Sequence, residues 1–402
     1  MTAARPEMAS EVPSLEPFAS WPMLDEEMID AVSTVLRSGR INYWTGNEGR
    51  QFEAEYAAHV GVDYAIAAAN GTVTLDMALH ALHIGAGDEV IVTPRSFIAS
   101  ASCVLLRGAT PVFADVDRDS QNLTAETIAP VLTDRTKAII LVHLAGWPCE
   151  MDGIVALAED RGLAVIEDCA QAHGALYRGR PVGSMGVIGS FSFCQDKILT
   201  TGGEGGMITT SRRDLWESMW AYKDHGKRAT ETGGDTNWSS AFRWVRETPG
   251  TNYRLTEMQS AIGRIMLRSL PEWVTKRRAN AAMLHEGLGA LPGLRISIPP
   301  EHILHSYYKY YLDIVPDALR SDWSRDRVIA EVNRRGVPCF TGSCPEIYLE
   351  KAFDGFRPTE RLPVARELGE TSMMLLVHPT LGPAEMDRTI EALRATMREA
   401  MR

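Results

Sequence analysis

The 402-residue sequence has no C-x-x-C pair, no G-x-x-x-x-G-K-[ST] and no G-x-G-x-x-G after a strand-like run. Its six cysteines (Cys103, Cys149, Cys169, Cys194, Cys339 and Cys344) therefore read as reduced, mostly buried thiols rather than a zinc framework. The missing glycine signatures argue against a P-loop nucleotidase and a dinucleotide-binding module. Positive charge is short: 41 Lys and Arg against 52 Asp and Glu give a net charge of −11. Neither nucleic acid nor an acidic membrane is expected as a partner. Long apolar runs are also missing, and stretches such as Ala138–Trp147 are too short to span a bilayer. The first twenty residues carry acids and prolines and lack the apolar centre of a signal peptide, so a cytoplasmic setting is the expectation. His80 with His83, and His302 with His305, have no evident third ligand, so no metal is expected.

What is present is the composition of a globular protein, 45% hydrophobic and 23% charged, long enough for two or three domains. Residues 1–24 read as an N-terminal arm. A helix comes next, with Asp25 as its cap, an apolar stripe at Met28, Ala31, Val32, Val35 and Leu36, and Gly39 at its end. A second helix covers about Gly49–His59. Apolar strands then appear near Tyr64–Ala69, Glu89–Thr93, Pro111–Asp115, Ala138–Leu144, Leu163–Asp168 and Val187–Phe193. Helical patterns lie between most of them, at Thr72–His83, Phe97–Arg107, Thr124–Leu132 and Met151–Arg161. This alternation predicts a mostly parallel sheet covered on both faces. Residues 224–250 break the rhythm as a long polar excursion. A helix at Leu270–Leu288, a strand at Tyr307–Val315 and helices at Ser324–Arg335 and Pro383–Met401 complete the chain. The expected division is a large domain at 25–268 and a smaller α+β domain at 269–402.

Sheets of this kind bind ligands beyond the carboxyl ends of their strands, so the residues just after each strand are the ones to inspect. Asn70-Gly71-Thr72 comes after the first strand, where a helix N-terminus offers free N–H groups to a phosphate; the same residues also read as a plain cap and turn. Glu167-Asp168 ends another strand, and only one of two successive side chains faces a given site. Asp168, at the tip, is the candidate. Lys197 leaves a further strand just before Gly202-Gly203-Glu204-Gly205-Gly206. A lysine so placed is a Schiff-base candidate, against the ordinary reading of a solvated lysine.

Asn70-Gly71-Thr72, Phe97 in RSFIAS, EDCAQAHG at 167–174, Phe191-Ser192-Phe193 with Lys197 and EGG at 204–206, and NYRLTEMQ at 252–259 occur in this order. Over roughly residues 25–395 the chain resembles the DegT/DnrJ/StrS-type sugar aminotransferases. The resemblance implies an α/β aspartate-aminotransferase-like fold (fold type I) and pyridoxal phosphate as cofactor. It implies Lys197 as the Schiff-base lysine that also carries the proton, with Asp168 holding the pyridine nitrogen protonated. Phe97 would stack on the ring unless it is a core aromatic, and Gln171 would lie on the other side. Gly71, Thr72 and Ser192 would hold the phosphate. Asn252 would reach the phosphate of a partner subunit in a homodimer with shared sites, unless it caps the following helix. The implied reaction moves an amino group from an amino acid, L-glutamate by resemblance, to a nucleotide-linked 4-keto-6-deoxy sugar. A keto-cyclitol (inosose) acceptor is the alternative, with a 3-keto sugar between. A sugar dehydratase, which has histidine at the lysine position, and a non-catalytic regulator are the further alternatives. Cys194-Gln195-Asp196 before the lysine departs from the family's usual filling, as does the length of the 224–250 excursion.

Overall fold

The computed structural model describes residues 17–227 and 248–402; most of the 224–250 excursion and residues 1–16 of the arm lie outside the described residues. Two helices open the described chain, α1 (Glu26–Ser38) and α2 (Glu48–Val60). The alternation then runs β1 (Tyr64–Ala68), α3 (Gly71–Ala81), β2 (Glu89–Val92), α4 (Ala99–Leu106), β3 (Thr110–Phe113), α5 (Ala125–Ile128), β4 (Thr136–Val142), α6 (Met151–Arg161) and β5 (Ala164–Asp168). Next come the short strands β6 (Leu176–Tyr177) and β7 (Arg180–Pro181), then β8 (Ile188–Ser192), β9 (Gly206–Thr210), α7 (Arg213–Lys223) and the long α8 (Glu257–Leu288). The remainder is β10 (Leu294–Arg295), β11 (Ile303–Leu304), β12 (Tyr310–Ile314), α9 (Arg325–Arg334), β13 (Cys339–Phe340), α10 (Pro363–Thr371), β14 (Ser372–Leu375) and α11 (Pro383–Ala400).

Seven strands form the central sheet in the order β1-β9-β8-β5-β4-β2-β3. Four neighbouring pairs are parallel, and β9 alone runs antiparallel to both of its neighbours. Its strands are continuous apolar runs because both faces are covered: Ile66, Val90–Val92, Ile139–Val142 and Ile166 are all buried. A second sheet, β10-β12-β14-β13, is antiparallel throughout. It packs with the second half of α8, α9 and α11 around Leu284, Leu312, Val328, Met373 and Leu393.

Helix termini obey local chemistry. Asp25 accepts from the Met28 N–H at 3.1 Å, and Gly39 closes α1 in the left-handed region. The expected helix over 124–132 is shorter than the pattern predicts: four residues and a 3-10 turn containing Pro130. The helix expected from Leu270 starts thirteen residues earlier, at Glu257, with Pro271 inside it. Pro271 removes one hydrogen bond, but packing on both halves outweighs that loss. Ile265, Met266 and Leu270 pack with Phe52 and Phe193, while Leu284 and Leu288 belong to the core of the second sheet. The domain boundary expected at 268–269 thus falls within one continuous helix. Among the described residues no helix is long and apolar enough to cross a membrane.

Candidate active site

At the carboxyl ends of β1, β5 and β8 lies a cleft of about 910 Å³. Gly71, Thr72, Phe97, Asp168, Gln171, Ser192 and Lys197 all line it. Of the eight residues singled out in the sequence, Asn252 alone is not among them. It is exposed, its backbone bridges Asp224, and its side-chain oxygen accepts from the Arg254 N–H at 3.4 Å. It does not cap α8: Thr256 does, in a reciprocal capping box with Gln259. Arg254 turns inward instead, its Nη1 at 2.8 Å from the buried carboxylate of Asp224.

The turn after β1 is tight for a steric reason. Asn70 caps α3 by accepting from the Val73 N–H at 3.0 Å. The N–H groups of Gly71 and Thr72 belong to the first turn, where a helix has no internal acceptors. A Cβ on Gly71 would lie 2.6 Å from Ser192 Cβ, so glycine is what lets β8 bring Ser192 against the helix start. Gly71→Ala is expected to lower stability by about 1–3 kcal/mol through overpacking, read by thermal unfolding; an unchanged midpoint would mean that β8 yields freely.

The strand alternation at 167–168 separates two carboxylates with opposite fates. Glu167 points away from the cleft and is wholly buried. It accepts from Gly183, Met185 and Gly186 N–H at 2.8, 2.7 and 2.6 Å and from His143 Nε2 at 3.0 Å. Since His143 Nδ1 accepts from the Cys149 N–H at 3.0 Å, Nε2 carries the ring proton. Burial alone would raise the Glu167 pKa; the His143 bond and the backbone donors reverse this and hold it below the ordinary value. Asp168 faces the cleft, accepting from Ser100 Oγ at 2.7 Å and the Ala170 N–H at 3.1 Å. Here burial dominates and pushes the carboxyl above its ordinary value, with Ser100, Ala170 and Lys197 opposing. A buried carboxylate in that state gains from a cation placed in the cleft.

Lys197 reaches the same cleft with its side chain 17% exposed, so it is not a solvated surface lysine. Its Nζ lies 3.4 Å from Tyr308 Oη and 3.6 Å from Asp196 Oδ1, and its carbonyl accepts from Trp21 Nε1 at 2.8 Å. Gln171 is fixed by accepting the Ala145 N–H at 2.8 Å. Phe97 is 67% exposed on the cleft wall, which removes the core-aromatic reading. The histidine pairs go elsewhere: His80 stacks on Tyr222, His302 pairs with Glu150 and His305 stacks on Tyr307.

The sequence pattern of the DegT/DnrJ/EryC1/StrS aminotransferase family matches residues 22–394. The chain belongs to this family. It is 35% identical over 384 residues to the dTDP-3-amino-3,4,6-trideoxy-alpha-D-glucose transaminase of Streptomyces venezuelae, covering 95% of each chain. It is also 35% identical over 388 residues to the UDP-N-acetyl-3-dehydro-alpha-D-glucosamine 3-aminotransferase of Acidithiobacillus ferrooxidans, covering 96% of this chain and 98% of that one. Among solved structures, an aminotransferase from Psychrobacter cryohalolentis is 55% identical with a TM-score of 0.93, over 95% of this chain and 99% of that one. The fold of this aminotransferase is the expected aspartate-aminotransferase-like one, with one antiparallel strand, β9, that the sequence pattern did not announce. Sequence reasoning also missed three cleft residues of the aminotransferase: Ser100, Tyr308 and Lys309. Ser100 lies three residues after Phe97, a spacing that places both on one side of a helical turn. Tyr308 and Lys309 sit in YYKYY, just before β12, with no local signal of a site.

Proposed function

We propose that this aminotransferase uses pyridoxal phosphate to move an amino group from L-glutamate to a keto sugar linked to a nucleotide. The carrying observation is the convergence of Lys197, Asp168, Gln171, Ser192 and the α3 N-terminus on one cleft. The residues fit the cofactor. The glycine cradle at Gly71 and the Ser192 hydroxyl suit a phosphate. Asp168, with its proton affinity raised by burial, suits a protonated ring nitrogen. The exposed Phe97 ring suits an aromatic face. When bound, pyridoxal phosphate supplies an aldehyde that exchanges with amines and a ring that accepts the electron pair of a neighbouring C–H bond.

In this reading Gly71, Thr72 and Ser192 hold the phosphate, and Asp168 keeps the ring nitrogen protonated, itself oriented by Ser100 and the Ala170 N–H. Phe97 and Gln171 bracket the ring. Lys197 is the amine that bonds the aldehyde, is displaced by the donor, and then moves the proton between carbon and nitrogen. The walls from Phe340 to Cys344 and at Met374 and Leu376 limit water and leave room for a large acceptor. The names of both relatives place the amino group at C-3, so a 3-keto acceptor stands beside the 4-keto-6-deoxy acceptor expected from the sequence. The test is a panel of nucleotide-linked 3-keto and 4-keto sugars and inososes added to protein already bleached by glutamate. Return of the visible band with a nucleotide sugar supports the reading; return with an inosose alone moves the assignment to cyclitols.

The shared-site homodimer belongs to the same reading. Asn252 is exposed and outside its own cleft, which leaves its amide free for a neighbour's phosphate. Arg254 is a poor probe, because removing it strands the buried Asp224 carboxylate at a cost of about 3–5 kcal/mol. Co-refolding Lys197→Ala chains with Asn252→Ala chains is the cleaner experiment. If Asn252 serves the partner, heterodimers contain one site without either lesion and activity rises above that of either variant alone. If it serves its own subunit, every heterodimer site carries a lesion and no recovery is seen.

A further inference from the structure

The tripeptide Cys194-Gln195-Asp196 departs from the family's usual filling, and the structure shows where its carboxylate goes. Asp196 Oδ1 is 3.6 Å from Lys197 Nζ. Its Oδ2 accepts a short hydrogen bond from Tyr308 Oη and lies 3.9 Å from Lys309 Nζ. Both lysines also lie over the Tyr308 ring, Lys197 at 4.9 Å and Lys309 at 4.8 Å from its centre. One carboxylate and one phenol are therefore shared by two lysines, both lining the cleft.

We propose that Asp196, Tyr308 and Lys309 are positioning residues for Lys197: hydroxyl and carboxylate hold its free amine in place, and the second lysine limits how firmly that carboxylate retains the amine's proton. The inference rests on the reading of Lys197 as the reacting amine.

The direction of the chain of bonds is fixed. Burial pushes the Tyr308 phenol well up, with Asp196 adding to it, so its proton stays and is donated to Asp196. Its oxygen then receives the N–H of Lys197 at 3.4 Å. Burial acts to raise the Asp196 carboxyl, but Lys197, Tyr308 and Lys309 overcome this and hold it below the ordinary range, so it stays charged. Left alone, a carboxylate at that distance favours the ammonium form of Lys197, which is no nucleophile. Lys309 competes for the same oxygen while burial brings its own amine down to about 8. The other charged or titratable groups around the set are Asp168 from the end of β5, His173 after it, Arg277 from α8, Glu204 on the cleft wall and His378 near Lys309. Burial lowers His173 and His378 to about 3, so both are neutral at working pH. Arg277 is held on the Tyr307 and Tyr308 carbonyls and fixes the backbone that carries the phenol.

The test needs no cofactor and no turnover. Cofactor-free protein is pulsed with acetic anhydride across a range of pH, and acetylation of the Lys197 peptide is measured by mass. Asp196→Asn is expected to lower the pH of half-maximal labelling by about one pH unit and Lys309→Met to raise it by about one. Asp196→Glu and Lys309→Arg, which keep the charges, should return the profile toward that of the unaltered chain. Two unchanged profiles, or two moving the same way, overturn the proposal. Failure of the cofactor reading shows separately, as no visible band when pyridoxal phosphate is added to the unaltered protein.

Discussion

Lys197→Ala and Lys197→Arg are both expected to abolish amino transfer while leaving the fold intact. The two variants fail for different reasons, and the difference is informative. Alanine removes the amine altogether. Arginine keeps a cation beside Asp196, so the electrostatics around the Tyr308 hydroxyl survive, but a guanidinium does not shed its proton in a protein and cannot act as the neutral nucleophile. The fold is safe because the side chain fills a cleft rather than a core: its contacts are the Tyr308 hydroxyl and ring and the partly exposed carboxylate of Asp196. Its backbone is tied by Trp21, and that bond survives both changes. The remaining cleft residues should still take up pyridoxal phosphate, now without the Lys197 bond and its visible band. Turnover by either variant, assayed by keto acid released from glutamate, would remove Lys197 from the mechanism. Loss of the far-ultraviolet dichroism would instead show that the side chain supports the fold.

The β/α rhythm is legible in the sequence because a parallel sheet buried on both faces writes each strand as an unbroken apolar run; Ile139 to Val142 shows this best. The site is legible for a related reason. Ligands gather beyond the strand ends, so Gly71, Asp168 and Ser192 are found by inspecting the carboxyl ends of β1, β5 and β8. The antiparallel β9 is not legible: its five residues come after a glycine-rich loop, and nothing local separates it from that loop. The start of α8 carries its own signal, since Thr256 and Gln259 form the S/T-x-x-Q capping box, but Pro271 draws attention to a later start. Tyr308 and Lys309 are invisible for a different reason. They meet Lys197 across 111 residues, through a strand of the second sheet, and no periodicity within either segment encodes that meeting.

Asp168→Asn is expected to cut turnover roughly a thousandfold, the scale of losing a principal electrostatic stabiliser, while the cofactor-free protein becomes no less stable. The two halves of this expectation have one cause. Burial raises the proton affinity of Asp168 in the folded chain above the ordinary carboxylate value. A carboxyl whose folded pKa is raised costs stability as pH rises through its unfolded value, and the full cost is present above the folded value. Asparagine removes that cost and keeps the shape. Its oxygen accepts from the Ala170 N–H, and its amide donates to Ser100 Oγ, which lies 3.0 Å from Ser96 Oγ and turns its own proton there. The change therefore leaves no buried group stranded. It does remove the negative charge that would hold a ring nitrogen in its cationic form, so the loss falls on the chemical step rather than on the fold. The measurements are turnover with saturating donor and acceptor, and the melting temperature without cofactor. A large loss of rate with an unchanged or higher melting temperature supports the role; near-normal turnover would show that the carboxylate is not what holds the ring proton. A melting temperature that falls along with the rate would place Asp168 among the groups that build the sheet, beside Glu167, rather than among those that serve the cleft.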